Sequence, residues 1–176
     1  MTERSEVGHW EGDLVMGKRP SAVATLVERS TRYVRIVPLP HGYKADAVRR
    51  AITDDLAQLP PSMRRSLTWD RGRKMAEHRQ LAAQLDPDVS FGDPRSPWQR
   101  GSNENTYRLL RQYLSKVADL RAFSMRDRDD IARRVNTWPR RVLGWAPAHN
   151  RFWPHVRAAS ISQAGPSPDV AFIGPS

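Results

Sequence analysis

The first part of the chain alternates apolar and polar residues at the spacing of β-strands. Within the first such run, Trp10 lies on one face of the predicted strand and Asp13 on the other. Short polar segments separate the runs, as expected for tight connections between neighbouring strands. The pattern therefore predicts an antiparallel meander of three strands, covering residues 10–17, 22–28 and 32–39.

The spacing of apolar residues then changes to that of helices. Val48, Ile52 and Leu56 recur every four residues within 44–59, which predicts an amphipathic helix that ends at the following proline pair. The remaining pattern predicts strands at 66–70 and 89–91 and helices at 75–85, from near Glu104, and at 126–135. This order of elements predicts a mixed α/β domain.

The chain has 176 residues, which suits one compact domain. We expect that domain to cover 8–157, with disordered segments at 1–7 and at 158–176, where Gly, Pro and small residues replace the periodic pattern. There is no cysteine, which excludes disulfides, thiolate metal sites and cysteine nucleophiles. There is also no apolar run of about 20 residues and no signal peptide, so we expect a cytoplasmic protein without a membrane partner.

Positive charge dominates the sequence and is concentrated in its second half. The net charge is +10 and the pI is near 10.9. Residues 93–157 hold 14 Lys and Arg against 6 Asp and Glu. This imbalance favours a polyanion as partner, although a solvated helix face is the alternative explanation.

Three acidic residues stand out by their context. Asp13 lies within an apolar strand, Asp70 ends a strand directly before Arg71-Gly72, and Glu104 opens a helix. Each also has a purely structural explanation. Asp13 could face solvent at the edge of the sheet, Asp70 could cap the turn through Gly72, and Glu104 could stabilise the helix dipole from the first turn of its helix. Their combination in one basic chain points instead to a shared site.

Four segments of the sequence resemble the catalytic core of bacterial DDE transposases, most closely those of the insertion-sequence-thirty family. These segments are GHWEGDLV at 8–15, TLVERSTRYVRIVPL at 25–39, LTWDRG at 67–72 and SPWQRGSNENTYRLLRQYL at 96–114. The resemblance implies a ribonuclease H-like mixed sheet, with a three-strand antiparallel meander plus further parallel strands, flanked by helices. It also implies that an N-terminal helix-turn-helix domain, which such transposases carry, is absent here.

The resemblance further implies that Asp13, Asp70 and Glu104 are the catalytic acids and the metal ligands. They would hold two Mg²⁺ ions, with Mn²⁺ as a substitute, and Asp13 would bridge the two. Such a pair of ions stabilises the transition states of phosphodiester cleavage and of strand transfer, which are the reactions of DNA integration and recombination.

The residues around Glu104 are candidate phosphate contacts. They are Gln99, Arg100, Asn103, Asn105, Arg108 and Arg111. The partners implied are the ends of an insertion element and its target DNA, bound by a homo-oligomer in association with the bacterial nucleoid.

Two positions depart from the family pattern. Lys74 stands where an acidic residue is usual, and Trp138 stands where an arginine is usual. These departures favour one alternative function, a remnant that binds DNA without cutting it. A second alternative is a ribonuclease H-like nuclease that uses water only. Products distinguish them from a transposase, which alone joins strands.

Overall fold

A computed structural model describes residues 6–17, 21–69, 103–114, 119–120, 122 and 124–163, and for Trp69 and residues 103–107 it describes the backbone only. Within these ranges the strands are β1 (His9–Met16), β2 (Ala22–Glu28), β3 (Val34–Pro38) and β4 (Ser66–Trp69). The helices are α1 (Ala45–Leu56), α2 (Asn103–Leu114), α3 (Met125–Thr137) and α4 (Ala148–Gln163), and short 3₁₀ turns occur at Pro61–Met63 and Arg141–Leu143. None of the helices described is long and apolar enough to cross a bilayer.

The four strands form one mixed sheet in the order β3-β2-β1-β4. Strand β1 pairs antiparallel with β2, from Trp10 opposite Glu28 to Met16 opposite Ala22, and β2 pairs antiparallel with β3. Strand β4 lies on the other side of β1 and runs parallel to it. The predicted meander is therefore confirmed, and the sheet continues with a parallel strand as expected.

Both faces of the sheet are covered, which explains why every residue of β2 is buried. On one face, Trp10 and Leu26 pack in a core with Ile52 of α1 and Phe152 of α4. On the opposite face, Val15, Val23 and Ile36 pack with Leu110 and Leu114 of α2 and with Val135 of α3. The alternation along β1 thus places Trp10 and Val15 in different cores, and the domain has three layers.

Helix α1 is joined to the sheet by a largely buried ion pair. Arg35 of β3 donates from Nε to Asp55 Oδ2 at 2.5 Å and from Nη2 to Asp55 Oδ1 at 3.1 Å. The two side chains are only 17% and 8% exposed. Because a bidentate pair fixes both distance and direction, it sets how α1 lies against β3.

Helix α3 is fixed at both of its ends. It begins with a capping box, in which Ser124 and Asp127 bond each other's main-chain N–H groups. Near its end, Asn136 Nδ2 donates to the main-chain oxygen of Val34, and Asn136 Oδ1 accepts from the main-chain N–H of Val34, both at 2.8 Å. The end of α3 is therefore held against the outer strand β3.

Helix α4 differs from what the sequence pattern predicts. It contains Pro154, which reads as a helix breaker, and it continues to Gln163 although a disordered tail was predicted from residue 158. Aromatic packing supports it, since Phe152 stacks on Tyr33 with ring centroids 4.1 Å apart and meets Trp10 edge-on at 5.7 Å. The predicted helix at 75–85 and strand at 89–91 lie outside the described residues, as do 1–5 and 164–176.

Candidate active site

The site is built around Asp13 in the middle of β1. Its main-chain oxygen accepts a hydrogen bond from Thr25 Oγ1 of β2 at 3.2 Å. Its carboxylate oxygen Oδ1 accepts from the main-chain N–H of Leu14 at 2.8 Å. The side chain is 28% exposed, so one oxygen is fixed by the backbone while the carboxylate stays accessible from outside.

Asp13 directly follows the last described residue pair between the parallel strands β1 and β4. That pair is Gly12 with Trp69, which immediately precede Asp13 and Asp70 in the sequence. The carboxyl ends of neighbouring parallel strands meet at one edge of a sheet, where α/β proteins commonly bind ligands. Asp70 itself lies outside the described residues, so its position beside Asp13 stays a prediction.

Helix α2 brings positive charge to Asp13. Arg111 Nη2 lies 3.7 Å from Asp13 Oδ2, and the Arg111 side chain is 64% exposed. Leu110 and Leu114 are fully buried and fix the helix against the sheet. Glu104 lies seven residues before Arg111, which is about two helical turns and therefore the same face of α2. The side chain of Glu104 is outside the description.

The predicted phosphate contacts fall into three groups. Gln99 and Arg100 lie outside the described residues, and Asn103 and Asn105 are described only as backbone in the first turn of α2. Arg108 is exposed on the helix surface. Arg111 was predicted as a phosphate contact, and the structure places it in an ion pair with Asp13.

Two other polar residues near the start of β1 have structural partners. Glu11, on the same face as Asp13, forms an ion pair with Arg29, Nε to Oε1 at 3.3 Å. His9 Nδ1 is hydrogen-bonded to Ser66 Oγ at 2.7 Å, which links β1 to β4. The contribution of Thr25 was missed from the sequence, because a hydrogen bond to the main chain of a neighbouring strand leaves no pattern along its own strand.

The described part of the site contains one candidate ligand for a hard divalent cation, the Asp13 carboxylate. A partly exposed carboxylate supplies the oxygen ligands that Mg²⁺ and Mn²⁺ prefer. The Arg111 guanidinium lies within ion-pair distance of Asp13 Oδ2, so a metal ion would compete with Arg111 for this oxygen. Among the described side chains, no group of three or more His, Asp or Glu converges as a metal site, and neither Asp70 nor the Glu104 carboxylate is part of that set.

A comparison with known families identifies the type of domain. The family described as "Integrase core domain" matches residues 3–97, more than half of the chain. The chain belongs to this family. The core of integrase type that the motifs predicted is thereby confirmed.

Relatives of this integrase core domain are bacterial transposases. The chain is 46% identical over 140 residues to "Transposase InsI for insertion sequence element IS30A" of Escherichia coli (strain K12), covering 80% of this chain and 36% of that protein. It is also 46% identical over 146 residues to "Transposase for insertion sequence element IS1086" of Cupriavidus metallidurans, covering 82% and 43% respectively. The chain thus spans less than half the length of these relatives.

Among solved structures, the chain is similar to the catalytic core domain of BIV integrase. The TM-score is 0.55 at 16% sequence identity, and the match covers 87% of this chain and 98% of the other. This likeness concerns the fold, and it confirms the predicted mixed α/β class of integrase catalytic cores.

Proposed function

We propose that the chain is the catalytic core of a bacterial insertion-sequence transposase, a polynucleotidyl transferase that cleaves DNA and joins the cut end to a target. The observation that carries the proposal is the Asp13 carboxylate, which lies accessible at the end of the β1–β4 pair beneath the basic helix α2. Similarity to bacterial transposases over most of the chain supports the same reaction.

We propose Asp13, Asp70 and Glu104 as the acids that hold two divalent ions, Mg²⁺ or Mn²⁺. Support for Asp70 is the register, because Trp69 pairs with Gly12 immediately before the two aspartates. Support for Glu104 is its place on the face of α2 that also bears Arg111. When bound, such ions neutralise phosphate charge and activate the attacking oxygen, and both cleavage and strand transfer require this.

The remaining residues of the site prepare it for a phosphodiester. The N–H of Leu14 holds Asp13 Oδ1 and leaves Oδ2 directed at α2. Arg108 and Arg111 are exposed on that helix and present guanidinium groups to the DNA backbone. Gln99, Arg100, Asn103 and Asn105 are assigned as further contacts, and binding through them weakens as salt concentration rises.

The partners in this proposal are the ends of an insertion element and its target DNA, at the nucleoid of a bacterial cytoplasm. Paired ends call for two active sites, so we propose that the protein acts as a homo-oligomer.

The test combines purified protein, precut DNA ends and a target plasmid in Mg²⁺ or Mn²⁺. Wild-type protein is compared with Asp13→Ala, Asp70→Ala and Glu104→Ala, and Asp54→Ala serves as the control because it removes an exposed acid from α1, on the other face of the sheet. We expect joined products from wild type and the control and none from the three alanine variants. Joined products from all of them would refute the site, nicks alone would indicate a nuclease, and binding without products would indicate a remnant.

A further inference from the structure

The connection between α3 and α4 carries three large apolar side chains that are exposed to solvent. Residues 138–147 form this connection, called here the tryptophan–arginine loop. Within it Trp138 is 54% exposed, Val142 69% and Trp145 68%. Three large apolar side chains exposed within eight positions make this loop a candidate binding surface.

The backbone of the tryptophan–arginine loop is extensively hydrogen-bonded. The N–H groups of Leu143 and Trp145 both donate to the Arg140 oxygen at 2.9 Å, and the N–H of Arg140 donates to the Ala146 oxygen at 3.3 Å. An isolated bridge pairs Pro139 with Pro147. The exposed side chains therefore project from a defined loop and not from a frayed end.

One of these side chains also has an unfavourable backbone conformation. Trp145 has φ of 65°, directly after Gly144 at 63°. A side chain bulkier than glycine in this region costs about 1–2 kcal/mol. Burial compensates little for that cost, because the residue is 68% exposed. Strain of this kind is common where a side chain is presented to a ligand.

The surroundings of the loop are strongly cationic. Residues 131–163 contain six arginines and no aspartate or glutamate, the arginines being Arg133, Arg134, Arg140, Arg141, Arg151 and Arg157. Arg133 forms an ion pair with Asp130 just before this range, so the excess of positive charge rests on the other five. Burial lowers the pKa of Arg140, and the neighbouring Arg32 guanidinium lowers it further. Arg141 is exposed beside the tryptophans. The charge complementary to this surface is that of a polyanion.

The loop also lies within reach of the active site. Asn136 holds the end of α3 against β3, and β3 is two strands from β1, which is roughly 10 Å at the usual strand spacing. A DNA segment that is paired at Asp13 and unpaired at the loop is therefore able to contact both places.

We propose that the tryptophan–arginine loop binds unpaired stretches of DNA, with Trp138 and Trp145 stacking on bases and Arg141 contacting phosphates. Exposed aromatic rings recognise the faces of unstacked bases, and arginine supplies both charge and cation–π contact. A paired duplex buries those base faces within its own stack and offers only its backbone. The proposal relies on the proposed function only in taking DNA as the partner.

The test measures fluorescence anisotropy of a labelled single-stranded oligonucleotide and of the matching duplex, with the full chain in EDTA so that the acidic site holds no metal. We expect Trp138→Ala and Trp145→Ala each to weaken single-strand binding roughly 5- to 150-fold, the range for losing one stacking aromatic, and to affect the duplex much less. Trp145→Tyr should retain most of the binding. Arg141→Gln should lower the salt dependence of single-strand binding by about 0.7 in slope.

Met125→Ala is the matched control, because Met125 is 64% exposed and lies about 18 Å from Thr137 along α3. Unchanged single-strand binding in both tryptophan-to-alanine variants would overturn the proposal. An equal loss for single strand and duplex would also overturn it, since charge or misfolding would then explain the effect. If the wild-type protein is a dimer and these variants are monomers, the loop forms a contact between copies of the chain, and this result would also overturn the proposal.

Asp13→Ala in the same assay separates the two proposals. It should bind the single strand normally in EDTA and fail to join DNA in Mg²⁺. If the tryptophan variants bind normally while Asp13→Ala abolishes joining, the loop proposal fails and the proposed function stands. If the tryptophan variants lose binding while Asp13→Ala still joins strands, the loop proposal stands and the proposed site fails.

Discussion

Replacing Arg111 with glutamine is expected to tighten the binding of Mg²⁺ at Asp13 about fivefold while weakening the binding of DNA. A metal ion at Asp13 has to replace the ion pair, in which Arg111 Nη2 lies 3.7 Å from Asp13 Oδ2. At about 4 Å two unit charges attract by roughly 1 kcal/mol in water and 4 kcal/mol at an effective dielectric constant of 20. Arg111 is 64% exposed, so the lower value applies. About 1 kcal/mol corresponds to about fivefold in affinity.

The assay is calorimetric titration of the DNA-free protein with Mg²⁺, supported by Mn²⁺ titration followed by electron paramagnetic resonance. Arg108→Gln is the matched control, because it removes the same charge from an exposed position one turn earlier on α2. We expect the control to change metal affinity by less than about twofold, as for charges screened by solvent. Equal gains in both variants would show that overall charge acts, not the ion pair. Weaker metal binding in Arg111→Gln would refute the competition itself.

Three further predictions concern stability. Asn136→Ala should destabilise the fold by about 2–6 kcal/mol in urea unfolding, because two buried main-chain groups of β3 lose their partner at about 1–3 kcal/mol each; a loss below 1 kcal/mol would contradict this. Asp55→Ala leaves Arg35 largely buried and unpaired, so thermal or urea unfolding should show a loss of about 3–5 kcal/mol, and restoration by Asp55→Asn alone would argue against a charge effect. The Ser124 hydroxyl lowers the pKa of Asp127. The stability that Asp127 contributes is therefore present above its unfolded pKa near 4 and is lost as the pH falls through the lower folded pKa. Asp127→Asn should reduce the melting temperature at pH 7 and have little effect at pH 2.

The sheet could be predicted because its signal is local. The runs of apolar or alternating residues in β2 and its neighbours are typical of strands with one or both faces buried. The structure shows strands at those same positions. Helix α4 could not be predicted in the same way. Pro154 interrupts its pattern, and what supports the helix is contact of Phe152 with Tyr33 and Trp10, residues more than 100 positions away.

The candidate site shows the same division. Asp13 could be singled out from its strand, and its motif identified it with the family's first acid. The pairing of Arg111 with Asp13 could not be foreseen, because the helical spacing relates Arg111 only to residues of its own helix. That contact depends on how Leu110 and Leu114 fix α2 across the sheet, which is a property of tertiary packing.

The bonds between Asn136 and Val34 have a consequence for assembly. A strand at the border of a sheet offers unpaired N–H and C=O groups to any passing chain, and proteins protect such borders to avoid aggregation. At Val34 both groups are occupied by one side-chain amide, on the side of β3 where no other described strand pairs with it. A second subunit cannot extend the sheet at this residue without displacing Asn136. If copies of the chain meet on paired DNA ends as proposed, they should therefore not pair strands at Val34.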